Sequence, residues 1–135
     1  MKAALVLAAL ATPWMVHAAE LRVTVSNGPS APATLYLAVF DGAEAFADGQ
    51  AVWSQKVELV DGAAQWVFSG VPPGRYAVKS FADENGNAKL DTNLFGLPVE
   101  RYGFSNNARG RMGPPGFEAA AVEVDADRSI SVELK

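Results

Sequence analysis

Cysteine is absent from this chain of 135 residues, and its one histidine, His17, stands near the N-terminus. Without thiols the chain can form no disulfide and has no thiolate nucleophile. Zinc and copper sites are built largely from imidazole and thiolate, and Ser-His-Asp catalysis needs an imidazole. If His17 is removed with a leader, these kinds of site are excluded, whereas metals that prefer oxygen ligands, such as calcium, stay open.

The first 18 residues have the features of a secretory signal peptide. Lys2 precedes an apolar run over residues 3–11, and the small residues Val16 and Ala18 stand where a signal peptidase requires them. This pattern predicts cleavage after Ala18 and a secreted or periplasmic product. The apolar run is shorter than the roughly 20 residues that span a bilayer, and no later run is long enough. We therefore expect no transmembrane segment.

Residues 19–135 have the length of one domain, and a single domain is expected. They carry 10 Lys and Arg against 15 Asp and Glu, so the net charge after cleavage would be 10 − 15 = −5. An acidic chain without a basic cluster is a poor candidate for nucleic acid or an anionic membrane. A carbohydrate or another exported protein is the kind of partner that this composition leaves open.

Short stretches that alternate apolar and polar residues predict an all-β fold. Turn signals such as Asp61-Gly62 separate them, and only residues 44–47 suggest a helical turn. The pattern predicts an antiparallel two-sheet sandwich of about seven strands, of the immunoglobulin-like kind, with one long ordered loop. The expected strands are 20–27, 33–41, 52–59, 63–68, 75–82, 118–124 and 128–134. The expected core residues are Leu21, Val23, Val25, Leu35, Leu37, Val39, Trp66, Phe68, Tyr76, Val78, Val122, Ile130 and Val132.

Residues 81–116 show almost no periodicity. Compact domains rarely contain more than about 15 residues without secondary structure unless the segment binds something or is disordered. The aromatic content argues against disorder. We therefore predict an ordered loop that packs on the sandwich through Phe95, Leu97, Tyr102 and Phe104.

The first block of this loop reads FADENGNAKLDTN and has the alternating spacing of a calcium loop. Its candidate ligands are Asp83, Asn85, Asn87, the Lys89 carbonyl and Asp91. Ala88 stands where such loops use Gly, and Leu94 stands where they use a bidentate Glu. With two carboxylates the site would be weak unless Glu84, Asn93 or Glu100 contributes. The alternative is a loop held by Asx turns, in which Asp and Asn side chains accept nearby backbone N–H groups.

The second block reads YGFSNNARGRMGPP and combines aromatic rings, amides and guanidinium groups. If exposed, this set suits a sugar or an anionic ligand, through ring stacking and forked hydrogen bonds. If buried, the same side chains would fasten the loop to the sandwich. The candidate ligand-binding residues are Tyr102, Phe104, Asn106, Asn107, Arg109 and Arg111.

Paired carboxylates in the loop also allow a small glycosidase-like hydrolase. Nothing in the sequence singles out an acid with a raised pKa, and the chain is small for a cleft enzyme. A binding or structural module is therefore the expected function, with calcium as the only candidate cofactor and with the hydrolase as the alternative.

The two blocks PPGRYAV…F.DENGN.KLDTN and YGFSNNARGRMGPP resemble DUF2141, a family of exported bacterial proteins of unknown function. The resemblance extends more weakly over the rest of residues 19–135. The piece GVPPGRYAV is also similar to prealbumin-like sandwiches, including Cna-B-type domains. These resemblances imply a fold and an exported location, and they imply no activity.

Overall fold

The computed structural model describes residue 4 and residues 18–135, so the predicted signal peptide lies almost wholly outside the described residues. Strands dominate the described part, and the helices are no longer than six residues. The strands are β1 Ala19–Ser26, β2 Ala33–Phe40, β3 Trp53–Leu59, β4 Ala64–Val71, β5 Gly74–Asp83, β6 Tyr102–Phe104, β7 Val122–Val124 and β8 Arg128–Glu133. The helices are α1 Ala43–Asp48, a 3-10 turn at Ser105–Asn107, and α2 Phe117–Ala120.

Two sheets pack as a sandwich, which confirms the predicted all-β class. One sheet has the strand order β4-β1-β8, and the other has the order β3-β2-β5-β6 with β7 also paired to β5. The prediction of purely antiparallel pairing is wrong at one place, because β1 and β8 run parallel. The chain leaves the larger sheet at β7 and crosses to the smaller one through residues 125–127, which brings β8 in alongside β1 in the same direction.

The core lies between the sheets and is close to the predicted one. All the expected core residues except Trp66 are at most 9% exposed, because alternate positions of each strand point to the same face. Trp66 is 37% exposed although it stands opposite Val23 in the β1–β4 register. Trp66 lies in β4, an edge strand of the smaller sheet, so within the described residues one side of its ring has no neighbouring strand.

A second, smaller core lies on the outer face of the larger sheet. Ala77, Phe104, Phe117 and Ala120 are buried there, and Phe46 of α1 packs against them. Phe117 and Ala120 both belong to α2, so residues 118–120 are helical and the prediction of a strand over 118–124 is wrong for that half. One turn of helix turns both side chains toward the sheet, which a strand could not do at this spacing.

The long loop contains more structure than predicted, since β6 and the 3-10 turn lie inside it. Phe104 is buried and Tyr102 is half-buried, as expected for the packing contacts of the loop. Phe95 and Leu97 are 88% and 60% exposed, so the prediction that they pack on the sandwich is wrong. They lie in a hairpin that projects from the loop and has its own hydrogen bonds. No helix in the described part of the chain is both long and apolar enough to cross a membrane.

Candidate functional site in the 83–107 loop

Asp83 begins the loop as the last residue of β5 and is only 3% exposed. Its Oδ1 accepts the N–H of Gly86 at 3.0 Å, and its Oδ2 accepts the N–H of Ala88 at 2.8 Å. The carboxylate therefore curls the next five residues around itself. A buried carboxylate needs such partners, because an ionised group removed from water is otherwise very costly.

Two Asx turns continue the curl. Asn85 Oδ1 accepts the N–H of Asn87 at 3.1 Å, and Asn87 Oδ1 accepts the N–H of Lys89 at 3.0 Å. Each bond spans two residues, the spacing that defines this turn. The Asx-turn arrangement, which the sequence left open as the alternative to a calcium loop, is thus present. An amide oxygen has two lone pairs, so each of these oxygens keeps capacity for a second partner.

The side chains of Asn85 and Asn87 converge on Asp91. Asn85 Nδ2 donates to Asp91 Oδ2, and Asn87 Nδ2 donates to Asp91 Oδ1. The amide of Asn87 and then that of Asn85 lower the pKa of the Asp91 carboxyl below its ordinary value of 3.8, with a smaller contribution from the charge of Lys89. Three of the predicted ligands therefore meet at one point.

Glu100 closes the curl from sixteen residues along the chain. Its Oε2 accepts the N–H of Glu84 at 2.8 Å, and its Oε1 accepts the N–H of Asp91 at 3.0 Å. The side chain is buried, at 6% exposed. From the sequence, Glu100 is predicted only as an acid that could contribute to the site. The reason is that it lies outside the alternating spacing of residues 83–91.

Ala88 has a left-handed backbone, with φ at 61°. Calcium loops place Gly at this position because their sharp turn requires that conformation. The turn is therefore formed here by a residue that is less suited to it.

Among the described residues there is no cluster of three or more His, Cys, Asp or Glu side chains that could hold a metal. The candidate calcium ligands instead combine two carboxylates with two amides.

Much of the second block fastens the loop to the fold. Asn106 Nδ2 donates to the carbonyl oxygens of Ala119 and Ala121, at 3.2 and 2.9 Å. Asn107 Oδ1 accepts the N–H of Glu133 at 2.9 Å. Phe104 is 3% exposed. Asn106, Asn107 and Phe104 thus fasten the loop to the sandwich by hydrogen bonds and packing. This is the alternative to ligand binding that the sequence analysis gives for these residues.

Part of the second block also borders a cavity. Tyr102, Asn107 and Arg109 line a small cavity of about 180 Å³, together with Glu133 and Lys135. The buried Phe104 also contributes to its wall. Arg111 is exposed and is not part of the lining. The cavity therefore brings together two aromatic rings, one amide, two cationic side chains and one carboxylate.

Carboxylates also meet at the root of the loop. Glu58, Asp83 and Glu84 line a shallow cavity of about 270 Å³. A glycosidase-like hydrolase needs two carboxylates that are free to act across a cleft. Both oxygens of Asp83 already accept backbone N–H groups, so this arrangement offers the hydrolase interpretation little support.

A family model described as "Uncharacterized protein conserved in bacteria (DUF2141)" matches residues 23–132. No match was found among curated proteins, and none was found among solved structures. The prealbumin-like label consequently stays a prediction.

Proposed function

This chain belongs to the DUF2141 family, and we propose that it is an exported β-sandwich binding module whose 83–91 loop holds a calcium ion. The observation that carries the calcium assignment is the convergence of Asn85 and Asn87 on the Asp91 carboxylate. Each Oδ1 keeps a lone pair beside the backbone N–H that it accepts, so a small change in the side-chain torsions would turn this oxygen, in place of Nδ2, toward the meeting point. The meeting point would then be lined by oxygen atoms alone, as calcium prefers.

Charge and turn geometry favour the same assignment. Asp91 brings one negative charge to the meeting point, and Asp83 supplies a second at the start of the same curl, where its oxygens also accept the N–H groups of Gly86 and Ala88. Together they match the double charge of the ion, and the Lys89 carbonyl stands at the position that supplies a main-chain ligand in calcium loops. The left-handed Ala88 makes the sharp turn between them. Few carboxylates imply weak binding, in the range of about 10⁻⁴ to 10⁻³ M that extracellular modules use.

An NMR titration of residues 19–135 with calcium tests this proposal. We expect the amide signals of residues 83–91 to shift and saturate in the millimolar range, and magnesium to give smaller shifts, because it demands a smaller and stricter octahedral site. Asp91→Asn should abolish saturation. Asp125→Asn, which removes an exposed acid outside the loop, should leave the titration unchanged. Shifts spread over all acidic residues without saturation would contradict a specific site.

The cavity beside Tyr102 supports a second candidate function, the binding of an acidic sugar. Arg109 and Lys135 supply two positive charges at the cavity against the one negative charge of Glu133, and the Tyr102 ring supplies a face on which a sugar can stack. We expect glucuronic acid to shift the signals of residues 102–109 more than glucose does. Arg109→Ala should remove that difference, whereas Arg111→Ala, outside the lining, should retain it. Equal shifts with both sugars would contradict recognition by charge.

Export is proposed from the sequence alone. The N-terminal residue of the protein recovered from the periplasm or medium of a bacterial host tests it. Processing between residues 18 and 19 should leave Ala19 as the first residue. A full-length protein confined to the cytoplasm would contradict the proposal.

A further inference from the structure

A cleft of about 460 Å³ opens on the outer face of the larger sheet, beside α1 and the start of α2. We call it the helix cleft. Its volume falls within the range of pockets that hold small molecules, roughly 300–1,000 Å³. The residues that give the cleft its chemical character are Phe40, Phe46, Lys79, Phe104, Pro115 and Phe117.

The apolar walls of the helix cleft hold one another in place. The centroid of the Phe46 ring lies 5.3 Å from that of the Phe40 ring. It lies 6.0 and 6.2 Å from the centroids of the Phe104 and Phe117 rings, separations at which aromatic pairs attract. Residues 114 and 115 are prolines, whose φ angles are fixed. The walls are therefore stiff, so little side-chain freedom is lost when a ligand binds.

Lys79 is the one charged residue that lines the helix cleft within the described part of the chain. Lysine is almost never fully buried unless it is paired. Lys79 is half-buried, yet no described carboxylate lies within 4.0 Å of its ammonium group. The cation–π contacts among the described residues are made by Lys56 and Arg75, not by Lys79. The ammonium group is therefore available to an anion that enters the cleft.

The sheet register explains why Lys79 has no acidic neighbour. On β5 it stands opposite Ala38 of β2 and Phe104 of β6. The adjacent residues on the same face of β5 are Ala77 and Phe81, because side chains alternate along a strand. These neighbours are all uncharged. The fold thus sets one cation in apolar surroundings, away from the acids of a chain of net negative charge.

We propose that the helix cleft binds a small amphipathic carboxylate, such as a medium-chain fatty acid. Lys79 selects the head group, because a charge-assisted hydrogen bond between ammonium and carboxylate is of the stronger kind. The rings around Phe46 select the body, because each methylene group removed from water favours binding. The cleft shares only Phe104 and Pro115 with the cavity beside Tyr102 and no residue with the 83–91 loop, so this ligand is additional to those proposed above.

An NMR titration of residues 19–135 with decanoate tests the proposal, in EDTA and below the concentration at which micelles form. EDTA removes calcium, which precipitates fatty acids. We expect saturating shifts of amide signals around the cleft, in residues 43–49 and 116–117. Decanol, which lacks the charge, should bind about tenfold more weakly. Decyltrimethylammonium, which reverses the charge, should bind more weakly still.

Two variants with the same chemical change separate the cation of the cleft from the rest of the surface. Lys79→Met removes the charge and keeps an apolar side chain of similar length. It should bind decanoate about tenfold more weakly than the wild type does, and decanol equally well. Lys56→Met makes the same change on the same face of the sheet but outside the cleft, where Lys56 lies over the Tyr36 ring. It should leave both affinities unchanged.

A third variant tests the location. Ala47 lines the cleft and is exposed, so Ala47→Leu narrows the cleft without placing the new side chain in the core. It should bind both ligands more weakly, and circular dichroism confirms that each variant is folded. The proposal would be overturned by decanoate shifts that do not saturate, by equal affinities for decanoate and decanol, or by equal effects of Lys79→Met and Lys56→Met.

Sedimentation checks the other occupants. The wild type should have the mass of a monomer at every concentration used in the titration. A mass that rises with concentration and returns to that of a monomer in Ala47→Leu would identify a second copy as the occupant and overturn the proposal. Co-sedimentation with phosphatidylglycerol vesicles that is lost in Lys79→Met would do the same in favour of a lipid surface.

Discussion

The carboxylate of Glu100 accepts the backbone N–H of Asp91 at 3.0 Å, across nine residues of the loop. The other oxygen of Glu100 binds the N–H of Glu84. One buried side chain thereby holds the two ends of the 83–91 curl together. This link keeps Asp91 in reach of the amides of Asn85 and Asn87.

Replacing Glu100 by Gln should destabilise the protein. One oxygen would remain to accept an N–H, whereas the new NH₂ group would face the second N–H and leave it without an acceptor. Leaving a buried donor unsatisfied costs about 1–3 kcal/mol. Urea unfolding measures the loss. Glu44→Gln, at an exposed position of α1, should change the free energy of unfolding by no more than about 0.5 kcal/mol. Equal effects of the two substitutions would refute the role of Glu100.

Ser105 is expected to be similarly important at the other end of the loop. Its buried Oγ accepts the N–H of Val78 at 2.9 Å and donates to the carbonyl of Ala120 at 2.5 Å, so it ties β5 to α2. Ser105→Ala should lower the free energy of unfolding by about 1–3 kcal/mol, because both backbone groups lose their partner. Ser54→Ala, at an exposed position of β3, is the control. A neutral Ser105→Ala would contradict this account.

Ala88→Gly should stabilise the protein. A left-handed backbone costs an L-residue roughly 1–2 kcal/mol, whereas the freedom that Gly adds to the unfolded chain returns about 0.4–1 kcal/mol of that. A net gain of up to about 1.6 kcal/mol is expected in thermal or urea unfolding. The same substitution at the helical Ala47 should instead be destabilising. A loss of stability at both positions would show that the turn at residue 88 is not strained.

The titration of Asp91 should depend on its amide partners. Its lowered pKa means that the folded state favours the charged carboxylate, so this contribution to stability is present above the ordinary pKa of 3.8 and is lost as the pH falls through the lower folded value. Asn87→Ala should raise the pKa of Asp91 toward 3.8 and so move that loss to higher pH. An NMR titration of the Asp91 carboxyl carbon measures both values. The same pKa in wild type and variant would rule out the contact.

Much of the sandwich could be predicted from sequence because burial in strands has a period of two. Leu21, Val23 and Val25 show that period directly, and all three are fully buried. Trp66 shows the limit of the rule, since the period identifies a face but not whether the strand lies at the edge of its sheet. The parallel pairing of β1 and β8 could not be predicted from the alternation of apolar and polar residues either, because it depends on where the chain crosses between the sheets.

In the loop, local hydrogen bonding was predictable and long-range placement was not. The Asx turns of Asn85 and Asn87 follow from residue type and a spacing of two. The bonds of Glu100 to residues 84 and 91 depend on the path of the chain between them. Phe95 and Leu97 were expected inside because they are apolar, but they are exposed in a turn whose backbone N–H groups bond to Asn93.

A crystal structure of residues 19–135 grown in calcium tests the central claim most directly. The account predicts one ion at about 2.3–2.6 Å from oxygen atoms of Asp83, Asn85, Asn87, Asp91 and the Lys89 carbonyl. The Oδ1 atoms of Asn85 and Asn87 should face the ion while they still accept the N–H groups of Asn87 and Lys89. A structure from the same crystals with no ion at that point, and with the amide nitrogens of Asn85 and Asn87 still bonded to Asp91, would contradict it.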